Sequence, residues 1–253
     1  QSHTIFYLAY IWTKTKDVLL LDSLRKSIQY FVYFVHLNGS IGGEYSSRNT
    51  RFFMPAGFEI LANEIPEAAS IINFLRVFVH EGNLIGLKAM DPQNIFPLVN
   101  NYIFAYKLSR LNKEKINRPL PFEKIGIKKF HKSGHIIVST TEFQMIIGTS
   151  KGGVVALFPK KERGKPSWLD SGIAVEFKSG KKASSQGLLF GAVNKINDTN
   201  IEITSNFVGI NQILMSPEKF IVFRLITFLS IVSSPFAYFL KNILVKMLIK
   251  RKK

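Results

Sequence analysis

The sequence has no cysteine, which excludes a disulfide framework and any thiolate metal site. Acidic residues are scarce: 17 Asp and Glu stand against 34 Lys and Arg, a formal charge of +17. So basic a surface favours an anionic partner, whether nucleic acid, acidic lipid or acidic polysaccharide. A long internal block of Lys and Arg with interleaved aromatics is missing, however, and such blocks mark nucleic-acid grooves, so nucleic acid is the least expected of the three. The chain begins at Gln1 and shows no leader with a basic start, an apolar run and a small-residue cleavage site. It is therefore expected to be a fragment of a longer protein.

Apolar residues are plentiful, at 46%, enough for a substantial core in 253 residues. Residues 1–112 read as helical. Leu20, Leu24, Ile28, Phe31 and Val35 recur at the three- and four-residue steps of an amphipathic helix, with Asp17 as its N-cap. Pro66 and the Asp91-Pro92 pair predict the starts of two further helices, and a short helix is expected from Pro55 to Asn63. Helices in series with polar loops predict a partial α/α toroid. A polar linker, 113–121, ends in Arg118-Pro119-Leu120-Pro121.

Beyond the linker, at 122–215, the pattern changes to short β-branched or aromatic runs such as Gly134–Thr140, Phe143–Gly148 and Val154–Phe158. Their spacing of about ten residues predicts an antiparallel β-sandwich, so the fold class is α+β. Lys151-Gly152-Gly153 lacks the full phosphate-loop spacing and reads as a hairpin turn. Trp168 and Asp170 read as an ordinary aromatic contact and a turn.

Residues 216–253 form an apolar, basic helical tail in which eight Lys and Arg face one Glu, about +7 of the total charge. Phe220–Leu240 has the length of a bilayer span, but Arg224 and Ser233-Ser234-Pro235 interrupt it. Lys241, Lys246 and Lys250 alternate with apolar residues as in an interfacial helix. A span, an interfacial helix and a segment that packs within a longer chain all remain open.

Residues His36–Arg51, where helical periodicity breaks, gather most of the functional groups of the helical half. His36, Asn38, Glu44, Tyr45, Arg48, Asn49 and Arg51 stand among three glycines. An ordinary turn is one reading, with Glu44 and Arg48 as a loop ion pair and His36 capping the preceding helix. Sugar chemistry is the other. Arg and Asn grip a uronate carboxylate, Arg in bidentate fashion. Neutralising that carboxylate acidifies the adjacent C–H, which Tyr45 or His36 then deprotonates. The β-elimination that follows needs no metal or other cofactor. Glycoside hydrolysis by Glu44 with a second carboxylate such as Glu59 is the rival chemistry. His131 and His135 are four residues apart, but the strand-like run around His135 argues against a helical metal pair.

The run Asn38-Gly39-Ser40-Ile41-Gly42-Gly43-Glu44-Tyr45-Ser46-Ser47-Arg48-Asn49-Thr50, followed by an all-β region, resembles the heparinase II/III-like polysaccharide lyases. The resemblance implies a partial toroid and a β-sandwich with an acidic glycan between them. It implies that Asn38, Tyr45, Arg48 and Asn49 line that cleft, with Tyr45 as the proton-transfer group. Glu44 and Arg51 belong to the same expected substrate-binding set, and His36 is the second catalytic candidate. Such lyases often carry a His with a nearby Asp on an early sandwich strand, whereas Gly148–Gly153 has neither. The expectation is thus a lyase-like protein of the cell envelope, periplasmic or secreted. The alternative is a non-catalytic envelope protein that binds anionic glycan, or a membrane surface through its tail.

Overall fold

The computed structural model describes residues 2–46, 52–81, 84, 87, 92–109, 118–161, 167–186, 193–196 and 200–210, with scattered positions between 217 and 242. Among the described residues five helices precede ten strands: α1 (Ser2–Thr15), α2 (Val18–Phe31), α3 (Ala56–Leu61), α4 (Pro66–His80) and α5 (Pro92–Ser109). Asp17 caps α2 as its sequence predicts, its carboxylate accepting from the amides of Leu19 at 2.8 Å and Leu20 at 3.3 Å. Pro66 opens α4, where a missing N–H costs nothing. Asn101 of α5 is fully buried and accepts from Ala56 N at 3.0 Å, so α5 supplies the capping group that Pro55 cannot give α3.

The strands are β1 (Gly126–Phe130), β2 (His135–Ser139), β3 (Phe143–Gly148), β4 (Val154–Pro159), β5 (Trp168–Asp170), β6 (Ala174–Glu176), β7 (Lys182–Ser184), β8 (Val193–Ile196), β9 (Ile201–Thr204) and β10 (Val208–Gly209). They form an antiparallel five-stranded sheet in the order β1-β2-β3-β4-β5, a three-stranded sheet β10-β7-β6 and the hairpin β8-β9. The fold is therefore a mixture of helices and antiparallel sheets. Lys151-Gly152-Gly153 does turn the β3–β4 hairpin, both glycines at positive φ. Trp168 and Asp170 lie on β5, a strand the sequence does not announce, and Asp170 accepts from Gly172 N at 2.8 Å just beyond it.

One core runs across the linker. Leu24, Ile28, Phe31, Phe58, Leu61, Ile71 and Leu75 from the helices join Leu120, Phe122, Ile137, Ile146, Val154, Ala156 and Phe158. Strand register explains the β contribution. Ile137 pairs with Ile146, Ile146 with Ala156, and Gln144 with Phe158, so these side chains share one face of the sheet. Residues Gln1–Gly209 make one compact unit and Ile210–Lys253 a second. In the second unit the described positions after Ile210 are helical, with the Arg224 guanidinium 5.2 Å from the Phe220 ring centroid. Among the described residues no helix is long and apolar enough to cross a membrane.

The tightest helix contact is between α1 and α3, at Gly57. A Cβ there would lie 2.7 Å from the backbone N and Cα of Phe6. Gly57→Ala would gain about 1 kcal/mol of helix propensity but must push two backbones apart. A net loss of about 1–3 kcal/mol is expected, read as a lowered chemical-denaturation midpoint. An unchanged or raised midpoint would contradict this packing.

Candidate functional site

The segment after α2 is folded by glycine. Val35 bridges Ile41, His36 N donates to Ser40 O at 3.0 Å, and Gly39 N donates to His36 O at 2.9 Å. Gly39 has φ +78, and a Cβ on it would fall 2.1 Å from the Phe78 ring, so both backbone and space demand glycine. Gly43 leaves the room that the Tyr45 ring occupies, and Gly148 does the same from below. A Cβ at Gly148 would stand 3.1 Å from Tyr45 Cβ.

These turns bring His36 and Tyr45 together. His36 is 1% exposed, and its ring stacks on Phe158 of β4 at 4.2 Å. His36 Nε2 meets Tyr45 Oη at 2.6 Å, and Nδ1 meets Ser40 Oγ at 2.8 Å. The tautomer follows from the far end of the chain. Ser40 Oγ spends its one proton on Asn38 Oδ1 at 2.7 Å, so it can only accept from His36 Nδ1–H. The neutral ring then presents a bare Nε2, and the Tyr45 hydroxyl donates to it. The result is a directed relay from Tyr45 through His36 and Ser40 to Asn38.

His135 of β2, which was considered from sequence only as a metal ligand, stands on the other side of Tyr45. Its Nε2 donates to the Tyr45 carbonyl at 3.2 Å, and its ring lies edge-on to the Tyr45 ring with centroids 5.9 Å apart. Nδ1 is then the acceptor, taking the Tyr30 hydroxyl at 3.2 Å, while Ser133 Oγ stands 3.0 Å away and donates to Phe130 O. Burial holds this imidazole below its ordinary value. Lys151 adds to that effect, and the bond to the Tyr45 carbonyl opposes it. The signal that finds His135 is register: it pairs with Gly148, the strand position on which Tyr45 rests.

Lys151, at the β3–β4 turn, reaches back to the carbonyls of Glu44, at 3.3 Å, and of Ser46. Burial lowers its affinity for a proton, and the Glu44 charge works against that. Gln144 is fully buried and donates from Nε2 to Val35 O at 3.3 Å, a second tie between sheet and segment.

The structure thus brings together His36, Asn38 and Tyr45 and sets Glu44 beside Lys151, while Arg48, Asn49 and Arg51 lie outside the described residues. Glu59, the second carboxylate of the rival hydrolytic reading, is 3% exposed and ion-paired to Arg76 at 2.8 Å in a separate cavity among α3, α4 and α5. Among the described residues no group of His and carboxylates is arranged to hold a metal ion. Comparison of the chain with protein-family models, with curated proteins and with solved structures gives no match in any of the three.

Two outcomes follow from this geometry. Tyr45→Phe strands the buried His36 Nε2 and is expected to cost about 1–3 kcal/mol of stability, measurable by denaturant titration. No cost would mean that the relay is not formed. Because His135 is held below 6.5 in the folded state, the unfolded chain binds more protons just below that pH. Its contribution is complete above about pH 6.5 and is lost as pH falls towards the folded value. Between about pH 7 and pH 5, wild type should lose more melting temperature than His135→Gln, and equal losses would remove His135 from the pH response.

Proposed function

We propose that the chain binds an acidic, uronate-containing polysaccharide and acts on it by β-elimination, with Tyr45 as the proton-transfer group. The supporting observation is the 2.6 Å bond from the Tyr45 hydroxyl to His36 Nε2, in a ring whose other nitrogen is already committed to Ser40. Such a pair lets Tyr45 work as a phenolate while its proton rests on His36. The phenolate takes the proton from the carbon beside the uronate carboxylate. The electron pair left behind forms the carbon–carbon double bond and expels the glycosidic oxygen, which recovers the proton from Tyr45. No cofactor enters this scheme.

The carboxylate must be neutralised for that proton to leave. Asn38 is half-buried, and its Oδ1 is occupied by Ser40 N at 3.1 Å and Ser40 Oγ, which leaves its amide nitrogen as the group that would donate to the carboxylate. Arg48, Asn49, Arg51 and Glu44 complete the proposed substrate-binding set. In this reading the helices are a partial toroid and the five- and three-stranded sheets a sandwich, as in the heparinase II/III-like lyases. His135 is then the strand-borne imidazole that Gly148–Gly153 lacks. The cell envelope, the periplasm or the exterior is where such a glycan is met.

A second reading is favoured by a specific observation: Tyr45 is 3% exposed, so substrate reaches Oη only if the segment above it moves. A non-catalytic envelope protein that binds anionic glycan, or a membrane surface through its basic tail, fits that burial. Incubation with a panel of acidic polysaccharides, followed at the ultraviolet band of unsaturated uronates, separates the two. Product is expected from wild type and none from Tyr45→Phe, under conditions where that variant is still folded. Binding without product in the wild type would end the lyase reading in favour of the second.

A further inference from the structure

Between α2 and β1 lies a groove of about 540 Å³, lined in part by Arg118-Pro119-Leu120-Pro121. Its cations come from separate parts of the chain: Lys26 from α2, Arg118 and Lys124 from the stretch before β1, and Lys128 from β1. A solvated helix face would draw its charges from one element, and this groove does not. Glu67 is its one carboxylate, so four positive groups against one leave a net charge of about +3.

Most of that charge is available to a ligand. Among the described residues neither Lys124 nor Lys128 has an ion-pair partner. Lys26 pairs with Asp22 at 2.7 Å, but both side chains are well exposed, and such pairs contribute little. Arg118 gives Nη1 to Glu67 at 3.2 Å and keeps its other donors. The floor is aromatic. Phe130 lies edge-on to Tyr30, at 4.8 Å and 77°, and to Tyr33, at 5.2 Å and 78°. Lys128 Nζ hangs 5.9 Å from the Tyr33 centroid and 5.6 Å from that of Phe130. Register accounts for the meeting: Lys128 pairs with Ile137 and Phe130 with His135, which puts both on the sheet face that packs on the helices.

We propose that this groove binds a linear acidic oligosaccharide, its carboxylates held by Lys26, Arg118, Lys124 and Lys128 and its sugar rings laid against Tyr33 and Phe130. Cations beside half-buried rings suit a ligand that alternates anionic groups with C–H faces. Nucleobases need open parallel platforms, and here the rings are edge-on to one another. A membrane surface needs a protruding apolar face, and this site is concave. The groove also leads inward, because Tyr30 on its floor donates to His135 Nδ1, and His135 holds the Tyr45 carbonyl. The proposal shares its ligand class with the function proposed above and does not depend on turnover.

The test is titration of the full chain with a uronate oligosaccharide, its carboxyl-reduced neutral form and a single-stranded oligonucleotide. Lys124→Gln with Lys128→Gln is the groove variant. Lys178→Gln with Lys181→Gln, on the exposed β6–β7 turn, is the charge-matched control. The acidic sugar alone should bind well to wild type, about tenfold more weakly to the groove variant, and undiminished to the control. Equal weakening in both lysine pairs would reduce the effect to overall charge and overturn the site. Tighter binding of the oligonucleotide would overturn the ligand class, and so would no binding of the acidic sugar. Undiminished binding by the groove variant overturns the groove and leaves the Tyr45 chemistry standing. Loss of binding there with no product from wild type supports the groove and removes turnover instead.

Discussion

His36 stands where the turn after α2 meets the sheet, and its contacts come from both. Phe158 of β4 stacks on its face, Tyr45 and Ser40 take its two nitrogens, and its own backbone closes the turn through Ser40 and Gly39. A buried imidazole is costly unless both nitrogens are bonded, so the ring is tolerated only while the turn, the tyrosine and the strand hold their places together. This explains why so many glycines surround it. The segment has to double back within a few residues to bring Tyr45 onto a ring nine positions earlier, and Gly39 and Gly43 give the bends their room. Gly148 answers from the sheet by leaving a place for Tyr45 to rest.

The sequence carries the regular elements well where a single physical signal dominates. Asp17 and Pro66 mark helix starts because caps and first-turn prolines act locally. Val154–Pro159, a short continuous apolar run, is a strand whose residues alternate between buried and half-buried. Strand β1 is silent by the same logic: Gly-Ile-Lys-Lys-Phe is almost wholly exposed and shows no apolar alternation. Trp168–Asp170 and Lys182–Ser184 are three residues each, too short for any period to register. Within the site, the cluster of functional residues is visible in the sequence, but its wiring is not. That Tyr45 donates to His36 depends on turns set by glycine. That His135 joins them depends on the pairing of β2 with β3, separated from Tyr45 by 90 positions.

The groove and the relay form a continuous arrangement around one sheet face. Phe130 and His135 are cross-strand partners, and His135 pairs in turn with Gly148, beneath Tyr45. Moving along that row, the environment changes from charged and open at Lys128 to closed at Tyr45. Attraction of an anion is best done in the open, where a ligand can reach the charge. Proton transfer is best done where water is excluded and hydrogen-bond directions are fixed. The same row of residues provides both settings.

Strand β1 has a consequence of another kind. It is an edge of the five-stranded sheet, and its outer row of amides and carbonyls is a template on which a second extended chain can add. Lys128 and Lys129 project to opposite faces there, so an incoming strand meets like charge on either side. The opposite edge, β5, is protected differently, by being only three residues long. Lys128, which gives the groove part of its charge, therefore also helps Lys129 guard this edge against edge-to-edge aggregation.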